Sequence, residues 1–297
     1  MAVLRHGYPQ CERFAPKAAV IEHANYSDIV WLDEGFRVLP IRTWQVAHTD
    51  RSRTQTSRIG LSDCRIFIQD EDTMFLTYSS AGNRFVVNSF TLEPHGQDTI
   101  LMTRDWLFME KGRNMGLLGY RGRVWIMPWV AHRSALPPAA NVTAAEAAHP
   151  GWPQFLVAAD QDVVRVPAFK TKLEPLHGSI NPIPLDDHGG ILLIAHQHLT
   201  RGQGGAAWSS SYVHYFLILE SSEPFALVAL SAPFCLPARR HADQCEEIQF
   251  IQSAVRIGTD HLLLAYGIND CESALAFVSV RQALAYARGQ APALTFY

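Results

Sequence analysis

The chain has 297 residues, a length that fits one large β domain or two smaller domains. Hydrophobic residues make up 48% and charged residues 18%, which supports a packed core and excludes a disordered chain. The net charge of −3 argues against a general nucleic-acid or anionic-membrane binder, and no run reaches the roughly 18–20 apolar residues of a membrane-spanning helix. The opening MAVLRHGYPQCERF has no apolar signal core. The five cysteines (Cys11, Cys64, Cys235, Cys245 and Cys271) are odd in number and without close pairs. Both features lead to the expectation of a reduced, cytoplasmic protein.

Helical periodicity is scarce, and short apolar runs rich in Val, Ile, Leu and aromatics dominate, broken by Gly, Asp, Asn and Pro. One unit recurs five times: a polar cluster, a short strand, a tight turn and a second apolar strand ending in a polar or aromatic residue. The first spans 25–42 and turns at Glu34-Gly35. The second spans 63–79 and turns near Glu71-Asp72. The third spans 111–129 and turns at Arg121-Gly122, the fourth 177–196 at His188-Gly189, and the fifth 247–267 at Gly258-Thr259. These are hairpin turn residues. The Pro/Ala-rich stretch 135–153 reads as a surface loop. VSVRQALAYARG near the end reads as a short helix, with Leu284 and Ala287 on one face and Gly289 as its stop. The unit spacing widens along the chain, which suits blades with loops of varied length better than a regular solenoid. The predicted fold is all-β: a single five-bladed β-propeller over residues 1–297 with a short C-terminal helix.

In an antiparallel hairpin, the start of the first strand and the end of the second lie at the same end. Every unit carries its polar residues at those two places. Unit one offers Asn25 and Asp28 with Arg42, and unit two Asp63 and Arg65 with Tyr78. Unit three offers Lys111, Arg113 and Asn114 with Trp129. Unit four offers His177, Ser179 and Asn181 with His196 and His198, and His214 opens the strand that follows. Unit five offers Glu247 and Gln249 with Tyr266, Asn269 and Asp270. If the hairpins are inner strands of blades, all five sets converge on one pocket. Amides and carboxylates there pair with sugar hydroxyls, Trp129 stacks on a pyranose, and the cations suit a phosphate group. His196-Gln197-His198 also puts two imidazoles on one strand face, a spacing zinc can use with His177 or His214. The preferred reading is that these histidines bond sugar, phosphate or neighbours, and no metal or cofactor is called for.

In their order, the segments resemble the five-bladed propellers of the β-mannoside phosphorylases and 1,2-β-mannosyltransferases. Asn25-Tyr26-Ser27 is similar to that family's Asn-Pro-Ser segment, and Ser62-Asp63-Cys64-Arg65 to its Glu-Asp-Pro-Arg. Glu110-Lys111 with Asn114 resembles Glu-Lys-Asn with a short insertion. His177-Gly178-Ser179-Ile180-Asn181-Pro182-Ile183 and Ala195-His196 resemble the Gly-rich Pro-Pro-Ile segment and the Tyr-His-Gly strand end. Ala265-Tyr266-Gly267-Ile268-Asn269-Asp270 is close to Tyr-Tyr-Gly-Ala-Ala-Asp. The likeness spans roughly residues 25–280. It implies a glycoside-active enzyme in which Arg65, Lys111 and His196 help bind phosphate, and hairpin geometry adds Arg42.

One departure matters. The phosphorylases place a catalytic Asp shortly after the Tyr that ends the second hairpin, whereas Tyr78-Ser79-Ser80-Ala81-Gly82-Asn83 holds no carboxylate. A glycosyltransferase using a sugar phosphate or nucleotide sugar needs no such acid. It needs cations at the departing phosphate and a base for the acceptor hydroxyl, for which Asp270 is favoured over Asp63 or Glu247. The alternatives are a hydrolase or phosphorylase with a relocated acid, using Asp63 with Asp270 or Asp28 with Glu247, and a non-catalytic carbohydrate-binding propeller. The expected partner is a sugar or glycan carrying a phosphate or nucleotide group.

Overall fold

The structure is a computed structural model. It describes residues 2–6, 26–30, 33–37, 46–48, 62–69, 74–80, 84–95, 98–111, 115–127, 154–157, 163–165, 176–200, 210–222, 225–237, 248–268 and 272–297, several strands by backbone alone. The stretch 135–153 lies outside them, as do Asn25, Arg42, Asn114, Trp129, Glu247, Asn269 and Asp270. The chain divides into two compact units, Met1–Arg113 and Asn114–Tyr297.

The first unit begins with the antiparallel pair β1 (Ala2–His6) and β2 (Tyr26–Val30). It continues with β3 (Val46–His48), β4 (Ser62–Ile68), β5 (Met74–Ser80), β6 (Arg84–His95) and β7 (Asp98–Lys111). These form one sheet in the order β3-β7-β6-β5-β4. The β4–β5 pair is the second predicted hairpin. The tight turn of the first is present at Asp33–Arg37, with the Phe36 N–H donating to the Asp33 carbonyl at 3.0 Å.

Among the described residues the second unit contains three sheets. β8 (Gly116–Tyr120), β9 (Arg123–Met127), β10 (Gln154–Val157) and β11 (Val163–Arg165) form the first. In the second, β12 (His177–Gly178) and β13 (Ile183–Leu185) both pair with β14 (Gly190–Thr200), followed by β15 (Ser210–Leu219) and β16 (Leu227–Leu230). The third is β17 (Gln249–Ile257), β18 (His261–Ile268) and β19 (Glu272–Ser279). Hairpins three, four and five turn where the sequence places glycine: Gly122, Gly189 and Gly258 have φ of 71°, 68° and 60°. A Cβ is strained in that left-handed region. The predicted helix is α1 (Val280–Ala287). It starts from Ser279, whose hydroxyl accepts the Gln282 N–H, and Gly289 follows it at φ 69°.

The β14–β15 sheet is apolar on both faces because a buried sheet must cover both. Ile191, Leu193, Ala195, Tyr215 and Leu217 pack with Leu118, Trp125 and Met127. Leu192, Ile194, Phe216 and Ile218 pack with Ile251, Leu262, Leu264, Tyr266 and the buried side of α1. Close contact has local causes too. A Cβ on Gly116 would lie 2.8 Å from the Ile180 carbonyl oxygen, so only glycine lets β8 approach the 180–182 segment this closely.

One expectation is corrected. Cys235 is disulfide-bonded, and the side chains of the other four cysteines lie outside the described residues. Among the described residues no helix is long and apolar enough to cross a membrane.

Candidate functional site

Strand alternation builds the site in the second unit. Along β14, Leu192, Ile194 and His196 face one side while Leu193, Ala195 and Gln197 face the other. The layer between β14–β15 and β17–β18 therefore changes character along its length. It is aliphatic around Leu192, Ile218 and Leu264 and becomes imidazole and aromatic towards the far end of β14. There β12 sets His177 directly opposite His196, and β15 sets His214 opposite it on the other side. A bridge then pairs His214 with Phe234. The ring centroids of His177 and His196 are 5.3 Å apart and those of His196 and His214 6.5 Å.

His196 is the centre of this row and is 3% exposed. The Ser179 hydroxyl, fully buried, lies 2.9 Å from its Nδ1. Phe250 meets the imidazole edge-on with centroids 4.8 Å apart, and Tyr212 lies 5.5 Å away. Tyr212 and Phe250 also meet edge to face, at 6.4 Å and 84°. His177, Tyr212 and Phe250 are part-exposed, so the cluster opens at the strand ends. Such a patch offers ring surface to the C–H face of a pyranose and imidazole nitrogens to hydroxyl or phosphate oxygens.

His214 lies behind this opening. Its Nε2 accepts the Ile251 N–H at 3.3 Å, which puts the ring proton on Nδ1. Nδ1 is buried and has no hydrogen-bond partner among the described residues. Burial pushes the imidazole pKa down to about 3, so His214 is neutral across the physiological range.

Three other predicted binding residues hold backbone. The Gln249 side chain accepts from the Leu236 N–H and donates to the Leu236 carbonyl, both at 2.9 Å. The Tyr266 hydroxyl donates to the Pro237 carbonyl at 3.1 Å. The Leu117 N–H donates to Asn181 Oδ1 at 3.0 Å, tying β8 to the segment that Gly116 admits. His198 is placed opposite Tyr212 by register.

Reading the sequence for polar side chains missed Phe250 and Tyr212. The only available signal was their position beside Gln249 and His214 at strand starts. Alternation makes Gln249 and Phe250 face opposite ways, so choosing Gln249 as the pocket residue excluded Phe250. Gln197 was passed over as well: it is 5% exposed on the opposite face of β14, and its Oε1 accepts the Tyr215 hydroxyl at 2.8 Å.

In the first unit the sheet register gathers a second set. Ser62 pairs with Ser79, Ser80 with Arg84, and Arg84 with Lys111, so Asp63, the end of β5 and Lys111 share one sheet end. Arg65 pairs with Thr77, next to Tyr78, and Arg65 and Tyr78 are each 3% exposed. A guanidinium held this far from water is costly without polar contacts. Asp28 lies on β2 opposite Leu4. Among the described residues no three His, Cys, Asp or Glu side chains gather to hold a metal ion.

Solved structures share this fold. A glycosyl hydrolase from Bacteroides ovatus superposes with a TM-score of 0.54 at 12% identity, over 87% of this chain and 76% of that one. A provisionally assigned glycosidase from Bacteroides thetaiotaomicron gives 0.55 at 14%, over 88% and 80%. The third gives 0.54 at 12%, over 87% and 76%. It comes from work on a family of mannoside phosphorylases that contains glycoside hydrolases targeting β-1,2 mannosidic linkages in Candida mannan. The resemblance read from the motifs holds for the fold. No protein-family model and no curated protein sequence matches the chain.

Proposed function

We propose that the chain is a carbohydrate-active enzyme built as one five-bladed β-propeller, with a sugar held at the open strand ends. The observation that carries this reading is the half-open cluster of His177, His196, Tyr212 and Phe250, on a fold shared with glycosyl hydrolases. Ring faces beside fixed hydrogen-bonding nitrogens are the means by which proteins hold sugars, and Ser179 supplies the fixing.

The reaction we favour is glycosyl transfer from a phosphate-activated donor. The bond between the anomeric carbon and the phosphate oxygen breaks, and the phosphate leaves as an anion. The acceptor oxygen bonds to the anomeric carbon, and its proton passes to a carboxylate. Arg65, Lys111, His196 and Arg42 are assigned to the departing phosphate, and Asp270, with Asp63 as the alternative, to the proton. Support for this direction comes from the end of β5. Tyr78-Ser79-Ser80 and the three residues after it contain no carboxylate, so an acid for an unactivated glycoside is missing there. A second reading, hydrolysis or phosphorolysis with the acid supplied from elsewhere, is favoured by the hydrolase and phosphorylase names of the structural neighbours.

The two readings separate in one assay series. Sugar 1-phosphates and nucleotide sugars are incubated with oligosaccharide acceptors, and β-linked mannosides with water or inorganic phosphate. Lengthened acceptor with released phosphate or nucleotide supports transfer. Cleavage of an unactivated mannoside overturns transfer in favour of the second reading. Absence of binding to any of these compounds overturns the sugar reading itself.

A further inference from the structure

β17 is irregular beside the histidine row. Its pairing with β18 slips by one residue: Ile251 lies opposite Tyr266 and Ser253 opposite Ala265, so Gln252 is extra. Such a bulge bends the strand and re-aims the side chains next to it. Phe250 precedes the slip, and its ring meets His196 edge-on with centroids 4.8 Å apart. Its cross-strand partner is Gly267, which has no side chain to steady that ring. β17 is also the outer strand of its sheet among the described residues, and it turns the Ile251 N–H towards β15, where His214 Nε2 accepts it at 3.3 Å. The acceptor is itself fixed: His214 pairs with His196 on β14 and exchanges both backbone bonds with Phe234 at 2.8 Å.

An imidazole is a poor choice here for packing alone. His214 is fully buried, and its Nδ1 has no hydrogen-bond partner among the described residues, which is costly. Phe216 and Ile218, which follow it on the same face of β15, are apolar. What the imidazole supplies and those side chains cannot is an acceptor for the Ile251 N–H. Being buried, it meets no ligand at the open end directly. We propose that His214 is a positioning residue of the candidate site: by holding the Ile251 N–H at the slip in β17, it sets Phe250 against His196 and fixes the ring surface that a ligand meets. Gln249 holds the strand on the other side of Phe250 through Leu236, so the ring is bracketed. A site works when the residues behind it lock the side chains that touch the ligand. The positioning does not depend on what the site binds; only its effect on a sugar rests on the function proposed above.

The full chain is compared with His214→Leu, His214→Gln and Phe250→Leu. Glutamine carries an acceptor oxygen at a reach similar to Nε2, and leucine carries none. Amide exchange at Ile251 should speed up about tenfold or more in His214→Leu and stay near wild type in His214→Gln, while Leu262 and Leu264 in β18 keep their protection. The NMR signals of the His196 ring, which sits beside the Phe250 ring, should move in His214→Leu towards their positions in Phe250→Leu and hold in His214→Gln. Titration with methyl β-mannoside and mannose 1-phosphate reads the consequence: binding about tenfold weaker in His214→Leu and restored in His214→Gln. Unmoved His196 signals in folded His214→Leu overturn the proposal, as do signals in His214→Gln that match Phe250→Leu. Protection lost equally through β18 also overturns it, because His214 then supports the whole sheet. If His214→Leu does not fold, His214→Gln decides: wild-type Ile251 protection and His196 signals support the role, and loss of either overturns it. A probe bound equally by wild type and folded His214→Leu overturns the link to the site. His196 signals that move in His214→Leu, in a protein that binds neither probe, support the positioning and count against the sugar reading alone.

Discussion

The two ends of the layer between β14–β15 and β17–β18 are made by the same strands and obey different physics. At the turn end the contacts are Leu185, Leu192, Ile218 and Leu262, all buried, and the exposed side is tied by Arg256, which binds Asp187 bidentately and also donates to the Thr259 carbonyl. At the open end the same positions carry His196, His214, Tyr212 and Phe250. Aliphatic burial needs only volume and tolerates no water. Imidazoles need partners: His196 has the Ser179 hydroxyl and His214 the Ile251 N–H at Nε2, while its buried Nδ1 stays unpaired among the described residues. The difference shows where the chain gives up aliphatic packing for directed polar contacts.

The sharpest way to break this comparison is in the aliphatic part. Leu264→Ala, at a fully buried position, should destabilise the protein by about 2–5 kcal/mol in denaturant unfolding. A loss well under that range would mean the layer is loosely packed and the contrast between its ends is false.

Next comes the junction beside the open end. Gly116→Ala would push a Cβ onto the Ile180 carbonyl and Pro182 Cδ, and backbone cannot yield as a flexible side chain does. A loss of roughly 1–3 kcal/mol is expected, measured the same way.

His214 tests the polar end through pH. Its pKa is about 3 when folded and 6.5 as the ordinary value, so between these limits the unfolded chain binds a proton that the folded chain refuses. The stabilising contribution is therefore complete above pH 6.5 and is lost as pH falls towards 3, at a slope of up to about 1.4 kcal/mol per pH unit. Subtracting the unfolding curve of His214→Gln from that of the wild type should isolate this slope. A flat difference would show that His214 is solvated.

The smallest effect belongs to the exposed turn-end pair. The Arg256 guanidinium holds the Asp187 carboxyl below its usual pKa, yet water and salt screen the pair. Asp187→Asn should leave the melting temperature unchanged at high salt. A clear drop would make this tie structural and blur the contrast between the two ends.

Sequence alone determined much of the local structure. Gly122, Gly189 and Gly258 marked three hairpin turns because left-handed backbone favours glycine, and Gly289 marked the helix stop for the same reason. Short apolar runs between turn residues marked the strands, and hairpin geometry put His177 and His196 together, as the strand register does. What only the tertiary structure decided was the use of each polar group. Gln249 and Phe250 are neighbours in the chain, and nothing in their order says that one clamps Leu236 while the other meets His196. Turns and caps are set by residues a few positions apart, whereas a side chain's partner comes from another sheet, brought there by packing that no local pattern encodes.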